Sequence, residues 1–295
     1  MRFNNFKLFR ILKVSIFFVS LIYFLYFLFE YKNFFSDLTI FSIPTLLTIF
    51  VLKIFNIVFL SNINLGILKN LNINLTQFES LDVTNKNTLG NLTSPFKLGS
   101  GYKISYLKSH FDINIKDYII VSTLYGLLNL IPIVIIFCLL ALVFGELSEI
   151  YNYLLSLVTL LYLFFCIYLL RGKLISKYFK VVSSLEIFNK NNLFIQINNV
   201  LFFLNTSVIV WIIINQINVE KDFLSAIAYS SVGSFVNLVN ITPGNIGVKE
   251  SLLILFKNLH GLNAYTIVFV SFLERLMSLI ALFIFQYVLA KKSKN

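Results

Sequence analysis

Charged and turn-forming residues that could bind an anion occur together in a chain that is otherwise very apolar. The segment NITPGNIGVKE (240–250) contains one Pro, two Gly and two Asn before Lys249 and Glu250. Pro and Gly favour a reversal of the backbone, and the helix after such a turn starts with free N–H groups and a positive dipole end. The predicted substrate-binding residues of this motif are Asn240, Pro243, Gly244, Asn245, Gly247, Lys249 and Glu250. A lipid phosphate is the natural anion in a membrane, and a tight turn between helices without a ligand is the alternative.

Two further charged residues, Glu274 and Arg275, lie near the middle of the last apolar segment. A charge at the centre of a bilayer costs about 2.5–3.5 kcal/mol on insertion scales, so such residues usually face a protein interior or a water-filled path. Neighbours on a helix point about 100° apart, so these two do not face each other. We predict that at least one pairs with the motif, either Arg275 with Glu250 or Glu274 with Lys249. A purely structural ion pair is the simpler interpretation.

A second copy of the motif occurs about half a chain earlier. Residues 91–99 read NLTSPFKLG, and the later copy begins NITPGNIG. Residues 121–131 (VSTLYGLLNLI) and 270–280 (VSFLERLMSLI) are identical at six of eleven positions. Several matches at one offset indicate an internal duplication, a common feature of transporters. The predicted binding residues of the first copy are Asn91, Pro95, Gly99 and Lys103, and helices should start near Leu98 and Ile246.

Composition indicates a polytopic membrane protein. The 295 residues are 58% hydrophobic and 13% charged, with a mean hydropathy of +0.85, whereas soluble domains carry about a quarter charged residues. The net charge of +11 follows the clustering of Lys and Arg at helix ends that the positive-inside rule describes, so nucleic acid is not an expected partner. No metal-ligand cluster, nucleotide motif or catalytic triad is evident, and no cofactor or metal is expected. Cys138 and Cys166 lie within apolar runs and are interpreted as packing residues.

The segments long enough to span a bilayer are 11–29, 40–60, 118–144, 150–170, 193–214 and 262–290. The motif-bearing segments 76–110 and 222–260 are uncertain, and residues 76–94 are too polar for a span that faces lipid. The positive-inside rule is obeyed at every loop if both motif segments enter and leave on the same side. The acidic loop 145–149 is then outside and the basic loop 171–190 inside.

This arrangement predicts an all-α polytopic membrane protein with two inverted repeats, each of three membrane-spanning helices plus a re-entrant Pro/Gly loop. The repeats are residues 1–145 and 146–295 of a single membrane domain, with both termini cytoplasmic in the cell (inner) membrane. The two loop tips could then meet near the midplane, where inverted-repeat transporters place their substrate site. Segment 222–242 is apolar enough to cross alone, so eight crossings remain the alternative.

These motifs resemble the flippase-like family, which comprises the membrane region of lysylphosphatidylglycerol synthases and stand-alone relatives. PGNIGVKE (243–250) is similar to the family's Pro-Gly signature, Arg275 to an Arg of its last helix, and NLTSPFKLGSGYKISYLK (91–108) to its first-half motif. Asn245 replaces a frequent Gly, and Lys249 replaces the commoner Arg. The resemblance implies movement of an anionic or polyprenyl-type lipid between leaflets, or assistance in envelope lipid or glycan assembly. No aminoacyl-transfer domain follows Lys294, so lysyl-lipid synthesis by this chain is not expected.

We therefore expect a lipid translocase in which Lys249 and Arg275 bind the headgroup phosphate, while Glu250 and Glu274 hold those cations or carry protons. A non-catalytic partner of a glycosyltransferase, a lipid-phosphate transferase and a small-solute transporter are the alternatives. Lys53 also lies within a predicted span, and snorkelling of its side chain to the surface is the simpler interpretation.

Overall fold

The computed structural model of the protein describes residues 38–94, 98–130, 133, 135, 190–217, 221–239 and 243–292. These residues form helices and turns, with no strand among them. The helices are α1 (Ile43–Lys69), α2 (Gln77–Thr93), α3 (Leu98–Phe111), α4 (Ile115–Leu128), α5 (Lys190–Gln216), α6 (Phe223–Val239), α7 (Val248–Leu255), α8 (Lys257–His260) and α9 (Ala264–Lys292). The predicted spans 11–29 and 150–170, the loop 145–149 and both cysteines lie outside the described residues, and so do residues 131–132, 134 and 136–144 of the predicted span 118–144.

Three helices of this part of the chain are long and apolar enough to cross a membrane, namely α1, α5 and α9. They confirm the predicted spans 40–60, 193–214 and 262–290. Helix α1 begins where the Ser42 hydroxyl accepts a hydrogen bond from the Thr45 N–H, with a Pro in its first turn, and ends at Lys69. Its 27 residues correspond to about 40 Å, which exceeds the hydrocarbon thickness of a bilayer.

Helices α1 and α5 pack against each other in antiparallel orientation. Thr45, near the start of α1, bonds Gln216 at the end of α5, whereas Asn70, at the end of α1, bonds Asn192 at the start of α5. The amide pairs between the two helices are Asn56–Asn205, Asn62–Asn198, Asn70–Asn191 and Asn70–Asn192. Hydrogen bonds between membrane helices contribute about 0.6–2 kcal/mol each. This amide ladder therefore fixes the register of the two central helices.

The first motif forms a helical hairpin of α2 and α3. Helix α2 starts with a capping box in which the Thr76 hydroxyl accepts from the Glu79 N–H and the Glu79 carboxylate accepts from the Thr76 N–H. The side chain of Asn91 then accepts from the Ser100 N–H across the turn. Helix α2 also packs on α9, where the Asn85 amide donates to the Leu282 carbonyl. Ser80, Thr84 and Asn85 of this helix are buried against protein, as expected for a segment too polar to face lipid.

Two glycines allow the close approach of α2 and α3. A Cβ at Gly90 would lie 2.7 Å from the Gly99 Cα, and a Cβ at Gly99 would lie 1.9 Å from the Asn87 carbonyl oxygen. Real Cβ atoms do not come so close to backbone, so any side chain at Gly99 must push the helices apart. Gly99, predicted as a binding residue, therefore has a packing role in the hairpin.

The second motif also forms a helical hairpin. Helix α6 is followed by the short 3-10 turn Pro243–Asn245 and by α7 and α8. Gly244, Asn245 and Gly247 have φ values of 55°, 56° and 80°, in the left-handed region that Gly and Asn tolerate best. Helix α7 begins at Val248, two residues after the predicted start. Gly233 of α6 lies beside Lys249 of α7, and Lys221 before α6 lies beside Gly261 after α8, so the hairpin is antiparallel.

Replacement of Gly99 by Ala should destabilise the protein by about 1–3 kcal/mol, because overpacking at a close contact displaces backbone. Gly101→Ala on the same helix is the matched control, since a Cβ there meets nothing within 4 Å and Ala favours helix. Thermal unfolding in detergent measures both variants. Equal stability of the two variants would contradict the close approach of α2 and α3.

Candidate anion-binding site

Arg275 of α9 binds the turn of the second motif through all three nitrogens of its guanidinium group. Its Nε donates to the Gly244 carbonyl at 3.1 Å and its Nη2 to the Asn245 carbonyl at 3.3 Å. Its Nη1 lies 2.7 Å from the Glu250 carboxylate, and both side chains of this ion pair are largely buried. The predicted pairing of Arg275 with Glu250 is thus confirmed. The planar fork of Arg suits several simultaneous acceptors, and here it holds the Pro-Gly turn in place.

Glu250 completes this clamp from the opposite side. One carboxylate oxygen meets Arg275, and the other accepts from the Gly247 N–H at 2.7 Å. Gly247 is the N-cap of α7, so Glu250 satisfies one of the free N–H groups at the start of that helix. The first turn of α7 is therefore already neutralised by a carboxylate of the protein.

Glu274, the neighbour of Arg275, carries a second set of ion pairs. Its two carboxylate oxygens face different lysines, Lys249 at 2.6 Å and Lys53 at 3.4 Å. The predicted pairing of Glu274 with Lys249 is confirmed. The Lys249 ammonium also lies 5.2 Å from the ring centre of Tyr229, whose hydroxyl is hydrogen-bonded to Ser271 of α9. Three helices, α1, α7 and α9, thus contribute charges to one cluster.

Lys53 corrects the sequence-based interpretation. The residue is only 7% exposed and its ammonium pairs with Glu274, so its side chain points into the protein and does not snorkel. The partner is 221 residues away in the chain. A single Lys in an apolar helix gives no indication of so distant a partner, and for this reason the sequence did not identify it.

A cavity of about 260 Å³ opens beside this cluster, between α1, α2, α5, α6, α7 and α9. Its charged lining residues are Lys53, Lys249 and Glu274, and its hydroxyl-bearing and amide lining residues are Asn56, Thr88, Thr206, Tyr229, Ser230, Ser234 and Ser278. The Ser230 hydroxyl is buried and has no hydrogen-bond partner among the described residues. Gly233 leaves room for the Lys249 side chain, since a Cβ there would lie 3.2 Å from its Cε. The remaining wall is apolar.

The cavity carries a surplus positive charge. Arg275 and Glu250 neutralise each other outside it, whereas two lysines share the single carboxylate of Glu274 within it. In the ordinary ionised forms of these groups, the described residues that line the cavity have a net charge of +1. An anion with hydrogen-bond acceptors, such as a phosphodiester, matches this charge and the surrounding hydroxyl and ammonium donors.

The two motifs meet beside this site. A Cβ at Gly244 in the second motif would lie 3.2 Å from the Leu92 side chain in the first motif, and Leu92 also lines the cavity. Residues of the two motifs are thus in contact. Asn91 and Gly99 stay within the first hairpin, and Lys103 lies apart, beside Asn64. Pro95 and Asn240 lie outside the described residues.

These features define a helical membrane protein with a charged cavity lined by residues of two helical hairpins and three long helices. The chain belongs to the family described as lysylphosphatidylglycerol synthase TM region, which matches residues 10–285. This family associates the chain with lipid handling in membranes. No curated protein and no solved structure matches the chain.

Arg275→Gln should lower the free energy of unfolding by about 3–5 kcal/mol, because it leaves the buried Glu250 carboxylate without its cation. Lys291→Gln, a change of the same charge at the exposed end of the same helix, should have little effect. Thermal unfolding of Glu250→Gln and of the double variant completes a mutant cycle. If the two effects simply add, Arg275 and Glu250 do not act as a pair.

Proposed function

We propose that this protein binds the phosphate of an anionic or polyprenyl-type lipid in its central cavity and carries the headgroup between leaflets for envelope lipid or glycan assembly. The observation that carries the proposal is the sharing of Glu274 by Lys53 and Lys249, which leaves one positive charge of the cavity unbalanced. A charge inside a membrane protein usually marks a substrate path. A lipid phosphate supplies the missing negative charge.

The cavity size supports a headgroup as the ligand. Ligand pockets commonly measure about 300–1,000 Å³, so a cavity of about 260 Å³ accommodates a phosphate and little more. The acyl or prenyl chains of the lipid then remain in the bilayer while the phosphate enters the protein. The apolar part of the wall, including Phe202 and Phe203, suits the adjoining carbon atoms.

The helix order supports two inverted repeats. Both bounds of α5 lie 147 residues after those of α1, and both bounds of α6 lie 146 residues after those of α2. The helices α1 and α5, which occupy equivalent places in the two halves, run antiparallel. An antiparallel relation between equivalent helices is what inverted topology requires, and transporters use it to open one central site to each side in turn. In this proposal each Pro/Gly hairpin is re-entrant, six helices cross the inner membrane, and both termini are cytoplasmic.

The roles of the charged residues differ from those first expected. Arg275 has its three nitrogens engaged with the turn and Glu250, so it positions the motif and does not bind the lipid. Lys53 and Lys249 bind the phosphate. Glu274 is the resident counter-ion of both lysines, and an arriving phosphate competes with it, which keeps binding reversible.

Lys53→Met should weaken binding of an anionic phospholipid by about 10- to 100-fold, because a hydrogen bond to a charged group contributes about 1.5–3 kcal/mol. The fold should persist, since Glu274 keeps its shorter pair with Lys249. Lys69→Met, at an exposed position near the end of the same helix, is the matched control. Titration of short-chain phosphatidylglycerol into detergent-solubilised protein measures the affinity, and equal affinities of the two variants would exclude Lys53 from the site.

Glu274→Gln should bind the same phospholipid more tightly than the wild-type protein, by about tenfold, because the competing carboxylate is removed. Its transport should be slower, since release becomes unfavourable. Asp82→Asn, which loses an acid outside the cavity, is the control. Transport is measured in proteoliposomes with a headgroup-labelled phosphatidylglycerol and an impermeant quencher. Binding without transport by the wild-type protein would favour the glycosyltransferase partner, and cleavage of the phosphate ester would favour the transferase.

A further inference from the structure

Lys103 of α3 is a buried cation outside the central cavity. It is 7% exposed, and its ammonium donates to the Asn64 side-chain oxygen at 2.6 Å. The ring of Tyr118 on α4 lies 5.6 Å from the same ammonium. No Asp or Glu of the described residues lies within ion-pair distance of it, in contrast to the other buried lysine of this part of the chain, Lys53.

A buried ammonium surrounded by neutral groups is costly unless a negative charge joins it. Asn64 takes one of its three N–H donors, and a ring face gives only a weak additional attraction. The Asn64 amide is itself oriented by a hydrogen bond to the Thr84 hydroxyl at 3.0 Å, so its oxygen is directed to Lys103. Asn64 and Thr84 therefore hold Lys103 in place and leave its charge unbalanced.

The position of Lys103 relates it to the cavity. Asn64 follows Lys53 by eleven residues on α1, which is about three helical turns, so the two residues lie on the same face about 16 Å apart. Ile57 and Leu60, between them on that face, line the cavity. On α2, Thr84 bonds Asn64, and Thr88, one turn later, also lines the cavity. Lys103 thus lies beside the interface of α1 and α2, and other residues of the same interface line the cavity.

We propose that Lys103 is a second binding station for the phosphate of the same anionic lipid, held by Asn64 and Thr84. The inference rests on the proposed function and adds a place that the headgroup occupies before or after the central cavity. In this proposal the phosphate passes between the Lys53–Lys249 pair and Lys103 along α1. Each station supplies a full positive charge, so the headgroup crosses the apolar stretch without losing its counter-charge for long.

Native mass spectrometry of the full chain in detergent, titrated with short-chain phosphatidylglycerol, tests this proposal. The wild-type protein should hold two tightly bound lipids, and Lys103→Met should hold one. Lys108→Met, which removes an exposed lysine of the same helix, should still hold two. Lys103→Arg keeps the charge and should also hold two, and Lys103→Gln, which keeps a donor for Asn64, should hold one.

The outcomes separate this inference from the proposed function. Two tightly bound lipids in both Lys103→Met and Lys103→Gln would overturn the second station, and so would a single lipid in the wild-type protein that Lys53→Met removes. A single lipid that Lys53→Met removes would still support binding in the central cavity. No tight lipid in the wild-type protein would reject both proposals. Retention of the second lipid by Lys103→Arg but not by Lys103→Gln would show that the charge, and not the shape of the side chain, holds the phosphate.

Discussion

A charge that enters a bilayer must find a partner, and two adjacent residues of α9 supply the partners of Lys53, Lys249 and Glu250. Glu274 and Arg275 point about 100° apart on their helix, so each serves a different surface. The Arg275 side chain donates hydrogen bonds to two backbone carbonyls of the Pro-Gly turn and forms an ion pair with Glu250. Glu274 draws Lys53 of α1 and Lys249 of α7 to one carboxylate. The position of the hairpin against the long helices depends on these two residues.

In the proposed function, the two neighbours have different roles: Arg275 fixes the structure of the turn, and Glu274 belongs to the binding site. The clamp at Arg275 has matched charges, and each of the three nitrogens of its guanidinium group contacts the turn or Glu250. The cluster at Glu274 is unbalanced, because one carboxylate serves two ammonium groups. Preorganised cations in a small, largely apolar cavity attract an anion more strongly than the same cations in water. The unbalanced cluster is thus the part of the protein suited to a ligand, and the balanced clamp fixes its geometry.

The sequence predicted the pairs Arg275–Glu250 and Glu274–Lys249, because a charge within an apolar segment is costly and the nearest opposite charges lay in one motif. It also predicted the three long helices and the start of α3, which follow from hydropathy and from the Pro-Gly signals. The partner of Lys53 could not be predicted. Glu274 follows Lys53 by 221 residues in the chain, and local sequence patterns do not show which helices pack together. The packing role of Gly99 could not be predicted either, because the Asn87 carbonyl that leaves no room for a side chain at Gly99 belongs to another helix.

The long separation of Lys53 from Glu274 has a consequence for biogenesis. A ribosome delivers α1 to the membrane well before α9 exists, so Lys53 enters the nascent bundle with no carboxylate to meet it. Lys249 is likewise synthesised before α9 and pairs with Glu274 only when that helix has inserted. Until α9 inserts, the unfinished protein carries two cations without their counter-ion, and the polar face of α1 needs water, lipid headgroups or an insertase to shelter it. Insertion of α9 is therefore the step that gives both lysines their shared carboxylate.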